Sequence, residues 1–194
     1  CRKGGEPAVT SLEILRQLPS LFHYADVEKF TGNANVFLTR AQSKSLVTRI
    51  AGGFYLNALR EPAPGIEEIA CFLRTPSYIS CEWALNRHGV LLQAPTVLTV
   101  LTLSTSVGPS RNVVSGGVTI EFSRIAPKLF TGFEAKEGYN LATPEKALLD
   151  TIYLRKRVPF PDELDFDAID RKKLARLAEP FPATVKKRLK AIFQ

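Results

Sequence analysis

Two adjacent glycines separate two short runs of strand-forming residues, and this limits what the first third of the chain can become. Leu46-Val47-Thr48-Arg49-Ile50 and Phe54-Tyr55-Leu56-Asn57 are joined by Ala51-Gly52-Gly53. Glycine enters the positive-φ conformations that a tight reversal needs, so the segment reads as a hairpin. Three helical patterns precede it. Thr10, with Glu13 three residues on, forms a capping box for a helix to Leu18, in which Leu12, Leu15 and Leu18 share a face with Ile14 before Pro19 stops it. A second helix is expected from about His23 to Thr31, with Phe22, Tyr24, Val27 and Phe30 as core and Gly32 as its C-cap. A third begins at Asn33, whose side chain suits an N-cap, and sets Ala34, Phe37, Leu38 and Ala41 on one face. Helix, helix, helix, two-stranded wing is the order of a winged helix-turn-helix.

Leu59-Arg60-Glu61-Pro62-Ala63-Pro64-Gly65 interrupts all periodicity, and a domain boundary is expected there. The chain then reads as a winged helix-turn-helix DNA-binding domain over 1–62 and a mixed α/β domain with C-terminal helices over 63–194. The fold class is α+β. In the second part, Ile66–Leu73 is helical, with Ile66, Ile69, Ala70 and Leu73 inward. Ser80 caps a helix that buries Trp83, Ala84 and Leu85 and ends at His88 and Gly89. Val97 to Leu103 is apolar on both faces, as a central strand is. Val118 to Ser123 alternates after the Ser115-Gly116-Gly117 turn, as a half-buried strand does. Thr143-Pro144 opens a helix with Ala147, Leu148, Ile152 and Tyr153 inward. Two helices close the chain. Asp167 caps the first, and Val185, Leu189, Ile192 and Phe193 form the apolar face of the second.

Composition narrows the function classes. Of 194 residues, 45% are hydrophobic and 23% charged, which is globular composition, and no apolar run approaches the roughly 20 residues of a membrane helix. The opening Cys-Arg-Lys-Gly-Gly carries no secretory pattern, so a cytoplasmic protein is expected. Cys1, Cys71 and Cys81 are odd in number and lack CxxC spacing, and His23 and His88 stand far apart, so no metal site is expected and Cys71 and Cys81 read as buried thiols. The pairs Gly4-Gly5, Gly52-Gly53 and Gly116-Gly117 belong to neither GxGxxG nor GxxxxGK[ST], and no cofactor is expected. Ser77-Tyr78, Glu82 and His88 supply a hydroxyl, a carboxylate and an imidazole, but without a nucleophile elbow they read as cap and core. Asp162, Glu163, Asp165, Asp167 and Asp170 read as helix-start caps rather than a Mg²⁺ site.

The formal net charge of +7 admits nucleic acid or an acidic partner. On the third helix, opposite its apolar face, lie Asn35, Val36, Thr39, Arg40 and Gln42, with Asn33 at its start. Amide and guanidinium side chains can pair with adenine and guanine edges in the major groove. Ser43, Lys44, Thr48 and Arg49 follow where phosphate contacts would fix the docking. The competing reading is a solvated face used for protein contact. A second basic region runs from Arg155 to the end: Arg155-Lys156-Arg157, Arg171-Lys172-Lys173 with Arg176, and Lys186-Lys187-Arg188 with Lys190. Eleven cations against six carboxylates leave it at +5, most of the chain's charge. It is either a solvated helix face or a surface for nucleic acid or an acidic protein.

At these residues the chain resembles the AbiEi antitoxins of the AbiE abortive-infection toxin–antitoxin systems. Thr48-Arg49-Ile50-Ala51-Gly52-Gly53-Phe54-Tyr55-Leu56 is similar to that family's wing. Leu73-Arg74-Thr75-Pro76-Ser77-Tyr78-Ile79-Ser80, Trp83-Ala84-Leu85-Asn86-Arg87-His88-Gly89, Val97-Leu98-Thr99-Val100-Leu101-Thr102 and Ala142-Thr143-Pro144-Glu145-Lys146-Ala147-Leu148-Leu149-Asp150 follow the order of its second domain. The resemblance implies a non-enzymatic transcriptional repressor and antitoxin. Its winged helix would bind operator DNA at inverted repeats in its own promoter, as a monomer or a DNA-induced dimer. Its second domain would counter a cognate nucleotidyltransferase-like toxin, with or without stable contact, here through Arg155, Lys156, Arg157, Lys186, Lys187, Arg188 and Lys190. The loop from Ser104 to Asn112 is neutral, and no binding residue is carried onto it.

Two alternatives follow from the residues. A nuclease-like or nucleotide-processing enzyme fused to a DNA reader would need converging carboxylates and a lysine, such as Glu121, Asp150 and Lys146. A ligand-sensing regulator would need a sizeable apolar pocket within 66–160.

Overall fold

Short-range signals and long-range pairing share the work of building the first unit. The computed structural model describes residues 10–157 and 163–193; Cys1, the Gly4-Gly5 pair and Asp162 lie outside them. The chain is α+β and divides into two compact units, Cys1–Gly65 and Ile66–Gln194. In the first, the Thr10 hydroxyl accepts from the Glu13 N–H while the Glu13 carboxylate accepts from the Thr10 N–H at 2.7 Å. This reciprocal cap starts helix α1, Ser11–Gln17. Ile14, Leu15 and Leu18 are buried, whereas Leu12, expected inward, is exposed.

Strand β1, Leu21–His23, precedes a helix α2 of only five residues, Tyr24–Glu28. The helix is shorter than the expected His23 to Thr31: at its start His23 is taken into β1, which pairs with a later strand and makes the sheet three-stranded. Gly32 is correspondingly no C-cap: the helix ends at Glu28 with Lys29 as its C-cap. Helix α3, Ala34–Ser43, leads through Ser45 at φ 55° into strand β2, Val47–Ala51, and strand β3, Phe54–Asn57. Gly53 supplies the positive φ of the turn, and a register shift between Arg49 and Ala51 twists the hairpin. The strand order is β1-β3-β2, all antiparallel. Ala34, Phe37, Leu38 and Ala41 of α3 join Leu15, Leu18, Phe22, Val27, Val47 and Tyr55 in one core. Phe30, expected there, is 36% exposed.

The second unit surrounds a six-stranded mixed sheet. Helix α4, Ile66–Leu73, is followed by strand β4, Ser77–Ser80, helix α5, Cys81–Arg87, and strand β5, Val97–Thr102. Strands β6, Val113–Ser115, and β7, Val118–Arg124, form the hairpin expected around Gly116-Gly117. Strands β8, Phe133–Ala135, and β9, Asn140–Ala142, form another. The order β6-β7-β5-β4-β9-β8 puts the fully buried β4 and nearly fully buried β5 at the centre. Among the described residues the chain has eight α-helices. Ser80 does not cap α5 with its side chain. It is the last residue of β4, and its hydroxyl donates to Asp150 at 2.8 Å. Trp83, expected buried, is half-buried and donates from Nε1 to Glu67 at 3.2 Å.

Helix α6, Pro144–Arg155, starts with Thr143 as N-cap and Pro144 in its first turn. Every residue from Glu145 to Ile152 is buried, so the helix lies inside the unit rather than on its surface. Tyr153 packs edge-on against Phe181. Helices α7, Arg171–Ala178, and α8, Ala183–Ile192, close the unit. Asp170, not Asp167, caps α7, accepting from the Lys172 and Lys173 N–H groups at 2.8 and 3.1 Å. The helix starts three residues later than the sequence pattern indicates, because Phe166–Ala168 forms a separate 3₁₀ turn capped by Asp165. Leu189, Ile192 and Phe193 are half-buried. No helix among the described residues is long and apolar enough to cross a membrane.

Candidate nucleic-acid interface

Helix α3 is split lengthwise by chemistry. Ala34, Phe37, Leu38 and Ala41 face the core, which fixes the rotation of the helix about its axis. Asn35, Val36, Thr39, Arg40 and Ser43 are consequently turned to solvent. Asn35 and Thr39, and likewise Val36 and Arg40, are one turn apart, so their side chains are neighbours on one ridge. Asn35, Val36, Thr39 and Arg40 border a shallow hollow of about 260 Å³. Lys44 at the end of the helix, and Thr48 and Arg49 on β2, are exposed directly after it. Backbone pairing of Thr48 and Arg49 with Leu56 and Tyr55 holds these side chains on a rigid strand. The exposed Arg49 guanidinium donates from Nε to the Ala51 carbonyl of its own hairpin at 3.4 Å.

Three expected contact residues sit differently. Asn33 occupies the N-cap position, but its side chain accepts no capping hydrogen bond; its N–H donates to the Thr31 hydroxyl at 3.3 Å. Gln42 is half-buried and folds back, its amide donating to the Leu38 carbonyl at 3.1 Å. It would have to break this bond to pair bidentately with a base. The Ser43 hydroxyl donates to the Arg40 carbonyl at 2.9 Å and remains exposed.

In the second unit the basic residues divide into two kinds. Lys156, Arg157, Lys187, Arg188 and Lys190 are exposed, and Lys186 is partly so. Arg155 is not a surface cation, and its place in that set is corrected. Its Nε meets Glu82 at 3.1 Å and its Nη2 pairs with Glu121 and donates to Thr99 at 3.1 Å. With its side chain 28% exposed between two carboxylates, it is already neutralised. The pattern Arg-Lys-Arg hid this, because Glu82 and Glu121 lie 73 and 34 residues away in sequence. Arg171, Leu174, Ala175, Leu189, Lys190 and Phe193 line a groove of about 310 Å³ between α7 and α8.

The residues that would serve an enzyme are brought together only in part. Lys146 and Asp150 pair inside the unit, both sealed from solvent, while Glu121 is engaged by Arg155 and Thr99. Ser77, Tyr78, Glu82 and His88 are dispersed. The Ser77 hydroxyl faces the Cys71 carbonyl, Tyr78 donates to Asp150, Glu82 holds Arg155, and His88 Nε2 lies 2.8 Å from the Ala142 carbonyl. Cys71 and Cys81 are free and buried, and burial pushes both thiols up from their ordinary range. Among the described residues, no three His, Cys, Asp or Glu side chains are grouped to hold a metal ion.

No protein-family model matches the chain. No curated protein sequence matches it either. Its fold is similar to the crystal structure of the Rv2827c protein from Mycobacterium tuberculosis, with a TM-score of 0.62. The match covers 95% of this chain and 74% of that one at 11% identity, and it speaks to the fold alone.

Proposed function

We propose that this chain is a DNA-binding transcriptional repressor, with its first unit a winged helix-turn-helix and α3 its recognition helix. In the same reading, the second unit is the antitoxin part of an AbiE-like operon and opposes a nucleotidyltransferase-like toxin in the cytoplasm. The observation that carries the first part is the lengthwise split of α3. Four residues anchor it in the core, and the opposite ridge offers an amide, a hydroxyl and a guanidinium to whatever lies outside. Lys44, Thr48 and Arg49 follow on a helix end and a paired strand, where cations meeting phosphates would set the register. Asn35 is suited to adenine and Arg40 to guanine. The antitoxin part rests on the resemblance in sequence and on the exposed cations Lys156, Arg157, Lys187, Arg188 and Lys190 with the partly exposed Lys186, without Arg155.

A band-shift titration on the protein's own promoter fragment tests the DNA reading. Arg49→Ala weakens binding to all sequences alike, whereas Arg40→Ala costs about 1–3 kcal/mol and relaxes specificity at one position. Gln42→Ala has the smaller effect, since the wild-type amide must first leave Leu38. Wild-type affinity in all three variants overturns the assignment of this face.

A further inference from the structure

We propose that Val36 reads the C5-methyl group of a pyrimidine, in the first instance thymine, in the major groove. The proposal rests on α3 being the helix that meets DNA and adds what that helix selects. A lone exposed apolar side chain needs no explanation in itself. Val36 differs from the others by its neighbours. It is 47% exposed in the first turn of the α3 ridge, and it shares its hollow with Asn35, Thr39 and Arg40. The core face of the helix is supplied by other residues, so Val36 contributes nothing to packing there.

The residue type is also poor for that position on helical grounds. A β-branched side chain loses χ1 freedom in a helix and is a weaker helix former than alanine, lysine or glutamine, any of which would suit an exposed site. The same stiffness is an advantage for recognition. Two methyl groups held in one rotamer form a fixed apolar surface, and little entropy is lost when something packs on it. In the major groove the one apolar feature on a base edge is the C5-methyl group, carried by thymine and by 5-methylcytosine. Beside it, Asn35 and Arg40 can meet adenine and guanine edges, so polar and apolar features of adjacent pairs would be read by adjacent side chains.

The test uses the full chain. Duplexes are enriched from a random-sequence library, and binding to the best of them is followed by fluorescence anisotropy at fixed salt. Each thymine is then replaced by uracil, which removes only the methyl group, and each cytosine by 5-methylcytosine, for wild type and Val36→Ala. The expected result is one thymine whose replacement weakens wild type about fourfold, the worth of one buried methyl group. Val36→Ala binds the original duplex about fourfold more weakly and is indifferent to that replacement. A gain at a methylated cytosine that Val36→Ala abolishes assigns the same contact to the modified base. If wild type binds and no replacement alters its affinity, or Val36→Ala keeps the full sensitivity, the proposal is wrong while the DNA reading survives. If no duplex is enriched, the DNA reading fails and this inference with it. Because alanine is the better helix former, loss of α3 does not confuse the outcome, and a circular dichroism melt verifies this.

Discussion

Lys146 and Asp150 stand one turn apart on α6 and pair with each other at 1% and 0% exposure. The second oxygen of Asp150 accepts from the Tyr78 hydroxyl at 3.0 Å and the Ser80 hydroxyl at 2.8 Å. The ammonium also lies over the rings of Tyr78 and Phe181. Burial pulls the Asp150 carboxyl up and the Lys146 ammonium down from their ordinary values, and their mutual attraction opposes both shifts. A pair like this ties α6 to the central strand β4, and it tolerates the loss of neither partner.

Removing one partner leaves a buried charge alone. Lys146→Met and Asp150→Asn are each expected to cost about 3–5 kcal/mol in urea unfolding. Lys146→Met combined with Asp150→Leu costs less than the two singles together, because the second change removes the orphaned charge. Near-neutral single variants contradict the pairing.

Asn57 does comparable work in the first unit. It is buried at the end of β3, where its amide donates to the Leu15 and Leu18 carbonyls at 2.7 and 3.2 Å and its oxygen accepts from the Leu59 N–H. Asn57→Ala takes this partner from the Leu15 carbonyl and the Leu59 N–H, while the Leu18 carbonyl keeps Arg60 Nε at 2.9 Å, and is expected to destabilise the chain by about 1–3 kcal/mol. Loss of an α1–β3 tie also exposes Leu15 and Leu18 amides to hydrogen exchange, which measures the effect locally.

The Asp26 carboxylate predicts a weak acid dependence. It accepts from Lys29 Nζ at 2.7 Å and from the His23 N–H at 2.9 Å, and these partners hold it below its ordinary value of 3.8. A depressed carboxyl stabilises the fold above that value and ceases to do so as the pH falls through the lower folded value. With Asp26 half-buried and its partner Lys29 exposed, the amount is small, about 0.5 kcal/mol after solvent screening. Asp26→Asn is therefore expected to flatten the fall in stability below about pH 4, read from unfolding midpoints across that range.

The cations of the second unit separate by variant. Arg155→Met leaves Glu82 and Glu121 without their shared partner and lowers the melting temperature, with a cost of about 1–3 kcal/mol. Lys156→Ala and Arg157→Ala stay within about 0.5 kcal/mol of wild type. On the proposed antitoxin reading, charge reversal at Lys156, Arg157, Lys187 and Arg188 is expected to abolish rescue in co-expression with a nucleotidyltransferase-like toxin without unfolding the protein; intact rescue removes these residues from the proposed surface.

What the sequence discloses follows the range of the interaction. The capping box at Thr10 and Glu13, the apolar face of α3 and the β6–β7 hairpin depend on residues within a few positions, and each is legible. The mixed α+β class follows from the same patterns. Strand β4 is hidden because Ser77-Tyr78-Ile79-Ser80 is buried on both faces and shows no alternation. Strand β1 is hidden because three residues beside Pro19 acquire a partner only 33 positions later, at Tyr55 opposite Phe22. The burial of the polar residues within α6 is hidden for the same reason: Lys146 and Asp150 stand at i,i+4 spacing, but the strand β4 against which they are buried is remote in sequence. Exposure of the α3 ridge follows from its apolar periodicity, whereas the back-bonding of Gln42 does not.

The most direct measurement is the salt dependence of binding to the promoter fragment. Between about 50 and 200 mM salt, the logarithm of the binding constant should fall linearly with the logarithm of salt concentration, and Arg49→Ala should reduce the slope by about one. A binding constant indifferent to salt, or a slope unchanged when Lys44 and Arg49 are both replaced by alanine, contradicts a DNA-reading surface built on α3 and its wing.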